Sequence, residues 1–153
     1  MILDLQNLVS DSQDLSQAAG SYLSTNAIDL TGGTFTSPGG YGTIARDAAK
    51  GEDLNFFVQI DETFTSGGAA TLTVELIMSA NSDLSGYVVL HTTPALALAT
   101  LVAGYLIRIS VPKAGLTSRY LGVRYTIGTA TTTAGTCTAG IAVDVDTSPQ
   151  VMR

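Results

Sequence analysis

Three kinds of side chain in this sequence could do chemistry. His91 is the only histidine and Cys137 the only cysteine, and carboxylates fall close together at Asp61 with Glu62, Asp144 with Asp146, and Asp83 beside Asn81. A histidine next to a serine and an aspartate would make a hydrolytic triad. His91, however, follows "YVVL" at a strand end, and no G-x-S-x-G elbow is present to strain a serine into a nucleophile. Neighbouring carboxylates could hold calcium or cleave a glycoside. Calcium needs a ligand loop of defined spacing, which no segment matches, and glycoside cleavage needs a fixed carboxylate separation. Asp144 and Asp146 alternate with Val143 and Val145, so they belong to the outward face of a strand. Cys137 alternates with Ala139 and Ile141 on an inward face, where a thiol behaves as a small apolar group without a neighbouring base to ionise it. The residues therefore predict no catalytic group, no cofactor and no metal: the chain reads as a scaffold and not an enzyme.

The elements that position these residues are strands. In "LNFFVQI" Leu54, Phe56, Val58 and Ile60 share one face, with Asn55, Phe57 and Gln59 on the other. "TLTVELIMSA" turns Leu72, Val74, Leu76 and Met78 inward and Thr71, Thr73 and Glu75 outward. "YLIRISV" buries Tyr105, Ile107, Ile109 and Val111; "YLGVRYTI" buries Leu121, Val123, Tyr125 and Ile127; "CTAGIAVDV" buries Cys137, Ala139, Ile141, Val143 and Val145. With the shorter "TNAIDL" and "YVVLH" this makes about eight strands separated by Gly-, Asn- and Pro-containing turns. No long segment has a helical period, and "ALALATL" fits either a strand or a single helical turn. Short strands with Gly-rich turns predict an all-β, antiparallel jelly-roll sandwich in one domain, residues 21–153, preceded by an N-terminal arm or first strand over residues 1–20. The uncharged stretch "GTATTTAGTCTAG" (128–140) reads as the hairpin entering the last strand, and residues 31–51 as a long Gly-rich loop.

Composition narrows the partners. The chain has 153 residues, 45% of them hydrophobic and only 13% charged, with a formal charge of −6. Lys50 and Lys113 are its only lysines, so no basic patch exists to displace counterions from nucleic acid. "ALALATLVAG" is too short to span a bilayer, and "MILDLQNLVSD" lacks the basic start of a secretory signal, which predicts a protein assembled in a reducing cytoplasm. Surface positions must then be filled by Thr, Ser, Ala and Gly, which are cheap to desolvate and suit contact with other subunits. Candidate contact residues are the apolar Ile2, Leu3, Leu5 and Leu8 of the arm, the outward Phe57 and Ile77, the aromatics Tyr41 and Tyr120, and Arg108 and Arg124. We expect a homo-oligomer, dimer or trimer, with the arm either completing its own sandwich or adding to a neighbour's sheet edge.

The blocks "MILDLQNLVSDSQDL", "STNAIDL", "DETFTSGGAATLTVELIMSANSDLS" and "RYLGVRYTIGTATTTAGTCTAGIAVDVD", in this order, resemble the small cement, or decoration, proteins of short-tailed bacteriophages. The similarity runs over nearly the whole chain, although the loop at 31–45 looks longer than in that family. The resemblance implies a jelly-roll virion protein on the outer surface of an icosahedral head, bridging major capsid proteins as a homo-oligomer. Two other classes compete with it. A carbohydrate-binding jelly roll of a phage tail would need aromatic platforms, and the chain has no tryptophan. An enzyme on a β-sandwich would rest on fold analogy alone.

Overall fold

A computed structural model describes residues 5–30, 35–36, 43–44, 54–111 and 116–142. Among them are twelve strands: β1 (Leu8–Asp14), β2 (Gly20–Leu23), β3 (Ile28–Asp29), β4 (Phe35–Thr36), β5 (Thr43–Ile44), β6 (Asn55–Ser66), β7 (Thr71–Ser79), β8 (Val88–Thr92), β9 (Leu96–Ala97), β10 (Leu106–Ser110), β11 (Tyr120–Gly128) and β12 (Thr132–Ala142). One sheet has the order β1-β12-β6-β10 and the other β2-β11-β7-β8, with β3 added on β11 and β9 on β7. All the pairings are antiparallel.

The topology follows from nested pairing. Leaving aside the two-residue strands, the first of eight principal strands pairs with the last, the second with the seventh, the third with the sixth and the fourth with the fifth. The chain is one long antiparallel ribbon rolled so that its two halves lie in different sheets, which is a jelly roll. β11 and β12 therefore do not form a hairpin, contrary to the expectation for residues 128–140. β11 lies between β2 and β7, β12 between β1 and β6, and the three residues after Gly128 carry the chain from one sheet to the other. Thr132 fastens this corner. Its hydroxyl donates to the Leu15 carbonyl at 2.5 Å and accepts the Gln17 N–H at 3.0 Å.

The inward faces are those the alternation predicts. Leu72, Val74, Leu76 and Met78 meet Leu121, Val123, Tyr125 and Ile127 within one sheet. Phe56, Val58, Ile60, Cys137, Ala139 and Ile141 line the opposing one. Each of the larger aliphatic and phenyl side chains contributes about 1.5–3 kcal/mol on burial, set against the entropy of ordering it. Tyr105, expected inside, is only half-buried against this core. "ALALATL" resolves into β9 and a 3-10 turn at Leu98–Thr100. The long Gly-rich loop is not wholly irregular, since β4 and β5 pair within it. Val143, Asp144, Val145 and Asp146 lie outside the described residues.

One polar group crosses the core. The Tyr125 ring is fully buried, and its hydroxyl lies 2.9 Å from Ser10 Oγ. Ser10 donates its own proton to Gln13 Oε1 at 2.7 Å, so Tyr125 is the donor to Ser10. This bond ties β1 to β11 across the sandwich. The segment from Leu8 onward thus belongs to its own chain's sheet, with Val9 fully buried in the core.

Candidate interaction surfaces

No candidate reactive group is assembled for chemistry among the described residues. His91 is exposed on β8, opposite Leu76. Asp61 accepts from the Thr138 hydroxyl at 2.7 Å, and Thr138 Oγ1 in turn accepts the Ser12 N–H at 3.0 Å. Asp61 therefore helps hold β1 against β12 and β6. Glu62 is exposed where β6 shifts register against β12. Asp83 caps its own turn: its Oδ1 accepts the Ser85 N–H at 2.9 Å and the Ser85 hydroxyl at 2.6 Å, which lowers its pKa. Asn81 completes that turn through Ser85 Oγ at 3.0 Å. No group of three or more His, Cys, Asp or Glu side chains among the described residues could hold a metal ion. Burial pushes the Cys137 thiol up to about 12, so it stays protonated beside Tyr125. No helix among the described residues is long and apolar enough to cross a membrane.

The structure separates the expected contact residues into three groups. Phe57 and Ile77 face outward by strand phase but are fully buried, which corrects their reading as contact residues. The cause is the same in both cases. Phe57 pairs with Gly140, and Gly140 pairs with Leu8 on its other side. A Cβ at Gly140 would lie 2.9 Å from Leu8 Cδ2, so Leu8 lies over the gap and packs with Phe57, Ala142 and the half-buried Leu106. Leu8 is thus a buried residue as well, not an arm contact. Ile77 pairs with Gly122, over which Leu84 is folded; a Cβ there would lie 2.4 Å from Leu84 Cδ1. Leu84 is itself buried and holds a left-handed φ of 59°, strained for a leucine.

The second group is committed within the chain. Arg124 sits in register with Glu75, bonds its carboxylate, and stacks 5.0 Å from the Tyr87 ring centroid while bonding the Tyr87 hydroxyl. Glu75, expected outside, is only 8% exposed, because this cation and Tyr87 lie beside it. The Glu75 bond raises the Arg124 pKa. Tyr120 is half-buried beneath Arg119, which makes two hydrogen bonds to Asp29 at 2.9 and 2.8 Å. Tyr87 and Tyr120, both covered by guanidinium groups, are therefore poor platforms for a sugar ring.

The third group is open. Arg108 is exposed on β10, bonded to Asn55 Oδ1 at 2.9 Å. Leu5 is 72% exposed, and Ile2, Leu3 and Tyr41 lie outside the described residues. The structure adds three apolar residues that strand patterning missed: Val88 at 53%, Val89 at 39% and Val102 at 46% exposure. An edge strand and an inner strand share the same alternation, so "YVVLH" alone did not distinguish them. The available signal was charge. From Leu84 to Ile107 the sequence holds no Asp, Glu, Lys or Arg.

A search of curated proteins found no match. The model of the Bbp16 family matches residues 9–141, which spans both sheets from β1 to β12. The chain belongs to the Bbp16 family.

Proposed function

We propose that the protein is a virion structural component, a capsid decoration or cement protein. It binds the outer surface of a phage head and bridges neighbouring major capsid proteins. It acts as a homo-oligomer and is assembled in the host bacterial cytoplasm. The sequence resemblance described above suggests the class, and one observation carries the reading. The charge-free run from Leu84 to Ile107, which includes the edge strand β8, lies largely open to solvent, with Val88, Val89 and Val102 exposed. Such a surface costs little to desolvate and suits contact with another protein. Attachment at many equivalent positions multiplies modest contacts through effective concentration. A ligand that binds the assembled shell and not free subunits stabilises the shell by linkage.

Co-sedimentation with heads of the encoding phage, stripped of this protein, tests the proposal. Binding should saturate at a ratio fixed by the head's symmetry and raise the temperature at which heads release DNA. Failure to sediment with heads, joined to retention on a glycan array, would move the protein to the carbohydrate-binding class.

A further inference from the structure

We propose that Asn81 is a site of spontaneous deamidation, and that the carboxylate formed there loosens the turn that seats Leu84 over Ile77. The inference rests on the chemistry of this turn and is independent of the proposed function.

The connection between β7 and β8 contains the pair Asn81-Ser82. Deamidation needs an accessible asparagine followed by a small residue, so that the next backbone nitrogen reaches the carboxamide carbon. Asn81 and Ser82 are both exposed, and the Leu84 N–H closes the turn on the Asn81 carbonyl at 3.1 Å. The chain's other asparagines, Asn7, Asn26 and Asn55, meet these conditions less well. Asn55 is buried and precedes Phe56, and Asn7 precedes the bulky, buried Leu8. Asn26 precedes Ala27, which is half-buried and has no hydroxyl to assist proton transfer.

In the reaction the Ser82 nitrogen gives up its proton to hydroxide and forms a bond to Asn81 Cγ. The Cγ–Nδ2 bond breaks, and the nitrogen leaves as ammonia with a proton from water. A second water then opens the cyclic imide at either carbonyl, which yields aspartate or isoaspartate. Water and hydroxide are the only co-reactants, and the rate rises with pH.

The nitrogen that is lost holds the turn together. Asn81 Nδ2 donates to the Ser85 carbonyl at 3.3 Å and to Ser85 Oγ at 3.0 Å. Ser85 gives its hydroxyl and its N–H to Asp83, at 2.6 and 2.9 Å, and its carbonyl also accepts the Ser79 hydroxyl at 2.5 Å. A carboxylate at position 81 has no proton to donate. It would face the Ser85 carbonyl, with the Asp83 carboxylate bonded to the same serine, so attraction turns into repulsion. Leu84 stands in the middle of this set. It is buried at a φ of 59°, a dihedral that persists only while its surroundings impose it. Isoaspartate acts more strongly, because it inserts a further carbon into the backbone just before Leu84.

The test ages the full chain in mildly alkaline and mildly acidic buffer and maps its peptides by mass spectrometry. The acid form should accumulate at Asn81, faster in alkali, with isoaspartate among the products. Ser82→Val places a branched side chain beside the attacking nitrogen and should slow the reaction. Asn81→Asp installs one product directly. It should lower the melting point by about 2–5 °C and raise hydrogen exchange across residues 82–86. Should that variant fail to fold, the aged chain, separated by ion exchange as a more acidic form, gives the same comparison. Deamidation confined to other asparagines, or a rate at Asn81 indifferent to Ser82→Val, would overturn the site. An unchanged melting point and unchanged exchange in the acid form would overturn its effect on the turn.

Discussion

Replacing Gly135 by alanine should be among the most damaging single-methyl additions available to this protein. Gly135 lies within β12 at φ 140°, where side-chain-bearing residues are rarely found. Its carbonyl accepts the Leu15 N–H at 2.9 Å, so the backbone cannot rotate away without losing that bond. A Cβ here would stand 2.5–2.7 Å from three atoms of the Phe64 ring, which is 3% exposed and packed in the core. The unfavourable dihedral costs about 1–3 kcal/mol, and forcing the ring aside costs a further 1–3 or so. The total, about 2–6 kcal/mol, is a large share of the roughly 5–15 kcal/mol that stabilises an ordinary domain. For a chain of this size it corresponds to a melting point lowered by about 5–20 °C.

Thermal unfolding of Gly135→Ala beside Gly67→Ala measures the effect. Gly67 meets nothing within 4 Å, so the same methyl there should change the melting point by no more than a degree or two. Phe64→Leu gives up part of the ring and should relieve the steric share only. The double variant Phe64→Leu/Gly135→Ala should then cost less than the sum of the two singles. Equal melting points for Gly135→Ala and Gly67→Ala would refute both the dihedral and the packing at this corner.

Alkaline conditions should destabilise the fold through two buried acids. Burial holds the Cys137 thiol up to about 12 and the Tyr125 phenol well above its ordinary value, whereas in the unfolded chain they ionise from about pH 9 and 10. The unfolded state then binds fewer protons, so stability present below pH 9 is lost as pH rises, by about 1.4 kcal/mol per unit for each group. Melting points should fall steeply between pH 9 and 11 and less steeply in Cys137→Ala, and a flat profile would contradict the burial. Arg124→Ala leaves the nearly buried Glu75 carboxylate without its cation and should cost about 2–4 kcal/mol in denaturant titration, since the arginine is itself partly open to water. Adding Glu75→Gln should recover part of that loss, and no recovery would mean the pair contributes by packing alone.

How much of this fold was legible depended on what alternation reports. It gives the face of each residue, and it placed Leu72, Val74, Leu76 and Met78 of β7 and Leu121, Val123, Tyr125 and Ile127 of β11 on the core side. It does not give the partner of a strand. The corner at 128–132 therefore resembled a hairpin, although nested pairing sends β11 and β12 to different sheets. Nor does it report what covers the outer face. Phe57 and Ile77 were assigned outward correctly and exposed wrongly. Each pairs with a glycine, and a leucine from elsewhere in the chain lies over that glycine: Leu8 over Gly140 and Leu84 over Gly122.

That shared arrangement has a physical logic of its own. A bulky apolar residue on the outer face of a sheet stays buried only if something lies across it. The lowest-cost place for a cover is the gap left by a missing side chain on the neighbouring strand. The uncharged edge strand β8 has no such cover among the described residues. Opposite Val89 stands Ile77, already occupied beneath Leu84, and β8 has no further strand beside it among the described residues. The rule that explains why Phe57 and Ile77 are buried thus also explains why Val88 and Val89 stay open: no glycine-seated side chain among the described residues lies across them.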